Sequence, residues 1–116
     1  MQELIDFFRA ISDGTRLRLL SLLAKQEYCV CELTEIMELS QPKVSKHLSK
    51  LRDLGFVGAR RKGQFIYYHL SVAEDVIREI IGVLEKHAKN DAILAQDRAR
   101  IASAKCALDQ RGVDRG

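Results

Sequence analysis

The stretch "SQPKVSKHLSKLRDLGFV", residues 40–57, carries its own start and stop signals. Ser40 is a good N-cap, because its side-chain oxygen can accept from an unpaired N–H of the first turn. Pro42 falls in that first turn, where a missing N–H does no harm. Gly55 is placed to end the helix as the residue just past the cap. Between these marks, at about 100° per residue, Val44, Leu48, Leu51 and Gly55 fall on one side. Lys43, Lys46 and Lys50 fall on the other, flanked by His47 and Ser49. One face therefore belongs to a core and the opposite face is a lysine stripe. Alone, such a stripe is as much a solvated surface as a site.

The neighbouring segments change that balance. Immediately downstream, "FVGARRKGQFIYYHL" (56–70) sets aromatic and β-branched residues on both sides of Lys62-Gly63, which predicts a β-hairpin with a basic tip. Upstream, "LIDFFRAI" (4–11) and "TRLRLLSLLAK" (15–25) read as helices, the second capped by Asp13. A third, short helix is predicted from about Cys29 to Glu38. After the hairpin, Ser71 and Glu74 have capping-box spacing and predict the start of a long helix with Val76, Ile77, Ile80, Ile81 and Leu84 on one face. Beyond Asn90, Leu94, Ile101 and Leu108 recur at intervals of seven and suggest a helix–helix seam. The final "RGVDRG" reads as frayed.

The predicted fold is thus mainly α with a β-hairpin wing, in the order α-α-α-α-β-β-α: a winged helix-turn-helix. Residues 1–90 would form the DNA-binding domain, and 91–116 a helical extension with a frayed end. From Gln41 to Gln64 there are seven Lys/Arg against the single acid Asp53, in a chain of net charge +3, so the remainder is acidic. A basic block on an acidic background points to a localised polyanion site. In a helix-turn-helix the N-terminal part of the second helix meets base edges. Lysines suit phosphates or guanine, and glutamine pairs with adenine. The candidate DNA-contacting residues are Gln41, Lys43, Ser45, Lys46, His47, Ser49 and Lys50 on the helix, with Arg60, Arg61, Lys62 and Gln64 on the wing.

A second feature is "EYCVCEL", residues 27–33. Cys29 and Cys31 fall at the predicted start of the third helix, where free N–H groups and the helix dipole favour thiolates. Thiolates are soft ligands and select soft ions such as trivalent arsenic. Side chains two apart on a helix point about 200° from one another, so one ion can hold both only if the first turn bends. Without context, the pair is equally two small buried fillers. The third thiol, Cys106, is either a further sulfur ligand or a helix residue unrelated to the site.

Length and composition bound the rest. At 116 residues the chain fits one domain with one modest core. Three cysteines, an odd count, argue against a disulfide framework and for a reducing compartment. The start of the chain lacks signal-peptide character, and no apolar run is long enough to span a bilayer. A cytoplasmic protein without a membrane role is expected. No nucleophile–base pair, phosphate loop or paired carboxylates is evident, so no enzyme is expected.

Together, "DGTRLRLLSLL", "SQPKVSKHLSKLRDLGFV" and "KGQFIYYHLS" resemble the ArsR/SmtB family of bacterial metal-sensing repressors, and "CVCEL" resembles the metal-binding box of its arsenic-responsive branch. The likeness covers about residues 3 to 90. It implies a homodimer that holds double-stranded operator DNA when empty and releases it when an ion binds. The implied inducer is arsenite or antimonite, or methylarsenite, held by Cys29 and Cys31 with Cys106 as the candidate third ligand; no permanent cofactor is implied. Two differences stand out. That branch often has a further cysteine where this chain has Thr34, and the family's zinc site is incomplete here, with Asp75 and His87 but not its other ligands. The alternatives on the same scaffold are a sensor of divalent cadmium, lead or zinc and a thiol redox sensor.

Overall fold

Capping residues fix where the helices begin. In the computed structural model, which describes residues 1–104, α1 (Gln2–Ile11) is followed by α2 (Gly14–Leu23), whose N-cap Asp13 accepts from the Arg16 N–H at 3.1 Å. A two-residue strand, β1 (Tyr28–Cys29), leads directly into α3 (Val30–Met37). Then comes α4 (Gln41–Asp53), with Ser40 Oγ accepting from the Lys43 N–H and Pro42 in the first turn.

The far end of α4 is closed by a Schellman arrangement. Gly55, at φ +86°, lets its N–H reach the Arg52 carbonyl, while the Phe56 N–H reaches that of Leu51, both at 3.0 Å. The chain then turns into β2 (Val57–Lys62) and β3 (Phe65–Leu70). Because Lys62 pairs with Phe65, the loop residues are Gly63-Gln64, one position later than the sequence suggests. Gly63, at φ +65°, occupies the first loop position, the place of a glycine in a II′ hairpin turn.

Two differences from expectation matter. Strand β1 pairs antiparallel with β3, giving a three-stranded sheet in the order β1-β3-β2. Two residues are too few to show a period, so this strand leaves no sequence signal. Second, the Ser71–Glu74 capping box does not form: α5 spans Asp75–His87 and its N-cap is Glu74. The Ser71 N–H is instead bonded to the Phe56 carbonyl at 3.0 Å and Val72 is buried, so this stretch is held as an extension of the sheet.

After a short 3-10 turn (Ala88–Asn90), Asp91 caps α6 (Ala92–Ile101). Helix α6 packs against α2 and α3, with Leu94 buried and Ile101 set against the core. Cys106, Leu108 and the terminal "RGVDRG" lie outside the described residues. The core draws on every layer: Phe7 from α1, Leu19, Leu20 and Leu22 from α2, Leu33 and Ile36 from α3, Leu48 and Leu51 from α4, and Ile77 from α5 are essentially inaccessible. Phe7 meets Phe56 edge-on, with ring centroids 5.6 Å apart, which fixes α1 against the exit from α4. Among the described residues no helix is long and apolar enough to cross a membrane.

Candidate nucleic-acid interface and thiol site

Helix α4 presents the two faces its sequence requires. Val44, Leu48 and Leu51 are buried. Gln41, Lys43, Lys46, Ser49 and Lys50 are exposed, and Ser45 is half-buried beside Gln41, whose Nε2 donates to Ser45 Oγ at 2.7 Å. Four cations counting Arg52, and no acid until Asp53, occupy the solvent side of this helix. Two of the expected contacts are placed differently. His47 is only 8% exposed and turns toward α2, its Nδ1 3.4 Å from Arg16 Nη1 and 3.9 Å from Asp13 Oδ1. It follows Lys46 on the helix, and one step of about 100° carries it from the lysine face to the core edge. Burial pushes its pKa below the ordinary imidazole value; the charges of Arg16, Lys46 and Lys43 add to this, against the opposing pull of Asp13. The Asp13 carboxyl is held low in turn: burial raises it, but the Arg16 N–H and the charges of His47 and Arg16 outweigh that.

On the wing, Arg61, Lys62 and Gln64 are exposed. Lys62 Nζ lies 5.9 Å from the centroid of the Tyr67 ring, and Arg61 reaches back to the Gly63 carbonyl at 3.5 Å. Arg60, by contrast, is engaged within the chain: its guanidinium holds both carboxylate oxygens of Glu27, one through Nε at 2.8 Å. This bidentate pair holds Arg60 still more firmly protonated, and it offsets the charge Arg60 would bring to DNA. At the base of the wing the His69 ring packs over Gly58, its nearest atom 2.6 Å from where a Cβ would stand, so a larger residue there would push the ring aside.

The thiols occupy unlike surroundings. Cys29 is 3% exposed. It is both the last residue of β1, paired with Tyr67 of the wing strand, and the N-cap of α3. Its N–H donates to Glu32 Oε1 at 3.0 Å, and Glu32, itself fully buried, completes a capping box with Cys29. Cys31 sits one position into the first turn and is exposed. It is disulfide-bonded, which corrects the expectation that every thiol is reduced; a sulfur at the surface is open to a second thiol, whereas the Cys29 side chain is enclosed. The two cysteines thus do not share a pocket. Cys106, the candidate third ligand, lies outside the described residues. Among the described residues no cluster of three or more His, Cys, Asp or Glu could hold a metal ion. Thr34, where the resembling branch often has cysteine, donates its hydroxyl to the Cys31 carbonyl at 2.8 Å.

Sequence reasoning missed two participants. Glu27 pairs with Arg60 across 33 residues, a relation that no local pattern carries. Tyr67 meets Cys29 through a strand too short to predict.

A capped helix-turn-helix with a lysine-lined second helix and an adjoining basic hairpin defines a class: a winged helix-turn-helix DNA-binding regulator of transcription. The family model described as "Bacterial regulatory protein, arsR family" matches residues 13–58. The arsenic resistance transcriptional regulator ArsR1 of Pseudomonas putida is 44% identical over 98 residues, covering 82% of this chain and 74% of that one. The chain belongs to the ArsR family. Among solved structures, HlyU from Vibrio cholerae superimposes with a TM-score of 0.67 at 32% identity, covering 73% of this chain and 90% of the other. The homodimeric winged helix-turn-helix DNA-binding domain from Mycobacterium bovis does so with a TM-score of 0.61 at 25% identity, covering 78% and 86%.

Proposed function

We propose that this protein is a cytoplasmic, dimeric repressor that binds operator DNA through α4 and the wing and leaves it when trivalent arsenic or antimony binds Cys29 and Cys31, with Cys106 as third ligand for the inorganic ion. The observation that carries the reading is the double engagement of Cys29. One residue ends a strand hydrogen-bonded to the wing and begins the first helix of the helix-turn-helix. To share an ion with exposed Cys31, it must leave that position. The movement disturbs the start of α3, the β1–β3 pairing and, two residues upstream, the Glu27–Arg60 pair. Once a cellular dithiol has reduced the Cys31 disulfide, becoming a disulfide itself, each thiol that bonds arsenous acid displaces one hydroxide, which departs as water with the thiol proton. By linkage, DNA weakens ion binding by the same factor that the ion weakens DNA binding, typically about 5–150-fold.

The DNA contacts assigned to this reading are Gln41, Lys43, Ser45, Lys46, Ser49 and Lys50 with Arg61, Lys62 and Gln64; His47 serves the packing of α4 on α2. Ile5 and Phe8 of α1 and Val76 and Val83 of α5 are exposed apolar side chains available to a second copy. Three sulfurs suit a trivalent ion better than zinc, which prefers four ligands. The disulfide at Cys31 favours a second reading, in which oxidation of that thiol is the signal.

One titration separates these readings. Release of a DNA duplex selected by the protein from a randomised library is measured under reducing conditions against arsenite, methylarsenite, cadmium and zinc, and separately against peroxide. Arsenite should act at the lowest concentration. Cys106→Ser should weaken the response to arsenite far more than that to methylarsenite, which uses one sulfur fewer. Release by peroxide alone would transfer the function to the redox reading; release by cadmium or zinc at lower concentration than arsenite would transfer it to a divalent sensor.

A further inference from the structure

The junction between α3 and α4 is held from outside the helix-turn-helix. The last carbonyls of a helix lack partners within it. At the end of α3 two of these are taken by arginines from other helices: Arg18 Nη2 of α2 donates to the Met37 carbonyl at 2.8 Å, and Arg100 Nη1 of α6 donates to that of Ile36 at 3.2 Å. Asp97 of α6 joins the two. It is 1% exposed and binds Arg18 through both oxygens, at 2.8 and 2.7 Å, with Arg100 at 3.7 Å. Arg100 also reaches the Glu38 carboxylate at 3.2 Å. Glu38 is the described non-glycine residue with positive φ, +55°, and it is the residue at which the chain leaves α3 for α4. A non-glycine residue in that region carries a conformational cost and persists there only when its surroundings hold it.

We propose that Asp97, Arg18 and Arg100 are positioning residues for DNA reading, which clamp the end of α3 so that Glu38 stays left-handed and α4 keeps the angle at which its side chains meet base edges. The inference rests on α4 as the reading helix. It assigns α6 a part in the DNA-bound state although none of the DNA contacts proposed above lies on α6. Phosphate contacts tolerate a tilt of the helix, whereas base-edge hydrogen bonds do not. Loss of the clamp therefore weakens recognition of a particular sequence more than it weakens binding to DNA in general.

Arg100→Met is the first test, since it retains the apolar stem and leaves the Arg18–Asp97 pair intact. Binding of the folded protein is compared on the library-selected duplex and on a scrambled duplex of the same length. The expected result is on the order of tenfold weaker binding to the selected duplex and about twofold or less on the scrambled one. Arg100→Lys, which can still donate to a carbonyl, should recover part of the difference. Amide exchange of residues 36–41, measured without DNA, should quicken in Arg100→Met. A purely structural role lowers the melting temperature and leaves the ratio between the two duplexes unchanged, and that result overturns the proposal; so does unchanged exchange at the turn. Asp97→Asn should show the same loss of selectivity, but it can fail to fold, and Arg100→Met decides in that case. If Lys46→Ala with Lys50→Ala leaves DNA binding intact, α4 is not the reader and the proposal falls with that reading; if those lysines matter and Arg100→Met changes nothing, the clamp alone is refuted.

Discussion

The lysine face of α4 and the cysteine pair at the start of α3 lie on consecutive helices, yet one is assembled and the other is not. Helix α4 is capped by Ser40 at one end and closed by Gly55 at the other, and its cations already point to solvent. Cys29 and Cys31 are divided between interior and surface. DNA binding needs little rearrangement, whereas shared ion binding needs a buried N-cap to be pulled out of a sheet. On the proposed function, a protein built this way would rest in the DNA-competent shape, and the ion would supply the free energy of leaving it.

The largest expected effect removes the ion side of this contrast. Cys31→Ser replaces an exposed residue and, compared with the parent under reducing conditions, should leave folding and DNA affinity unchanged. Cys29→Ser keeps an N-cap oxygen. Serine is no soft ligand, so each variant should stay on its operator at arsenite levels that strip the parent, with the full coupling of about 5–150-fold abolished. A double variant released at the parent's arsenite concentration would place sensing elsewhere in the chain.

The next effect removes the assembled side. Lys46→Ala with Lys50→Ala should weaken DNA binding and reduce the slope of log affinity against log salt by about 1 for each phosphate that is no longer neutralised. Arsenite affinity of the free protein should be untouched. An unaltered salt slope would mean that this stripe is only solvated surface.

The smallest effect concerns the edge between the two regions, where His47 meets Asp13 and Arg16. Its folded pKa lies below the ordinary value near 6.5, so the unfolded chain takes up the proton more readily. Stability should therefore fall as pH drops through about 6.5, and the loss should level off once the lower folded value is passed. Chemical denaturation at several pH values, with His47→Gln as control, reads this directly: the variant should show a flatter profile between pH about 7.5 and 5.5. Equal slopes in parent and variant would show that His47 does not contribute to the dependence.

What could be read from the sequence was what local chemistry dictates. The caps at Asp13 and Ser40, the stop at Gly55, the two-faced pattern of α4 and the basic hairpin each depend on residues within about one helical turn or one strand of each other, where side-chain type and spacing limit the backbone to few choices. The tertiary structure alone decided the rest. Strand β1 exists because β3 offers it a partner, Ser71 is drawn into the sheet by Phe56, and Arg60 is claimed by Glu27. His47 is turned inward by the packing of α4 on α2, and Asp97 gains its arginines only when α6 lies across the end of α3. Each of these pairings joins residues far apart in the chain, whose meeting is set by packing of the common core and leaves no periodic trace in the local sequence.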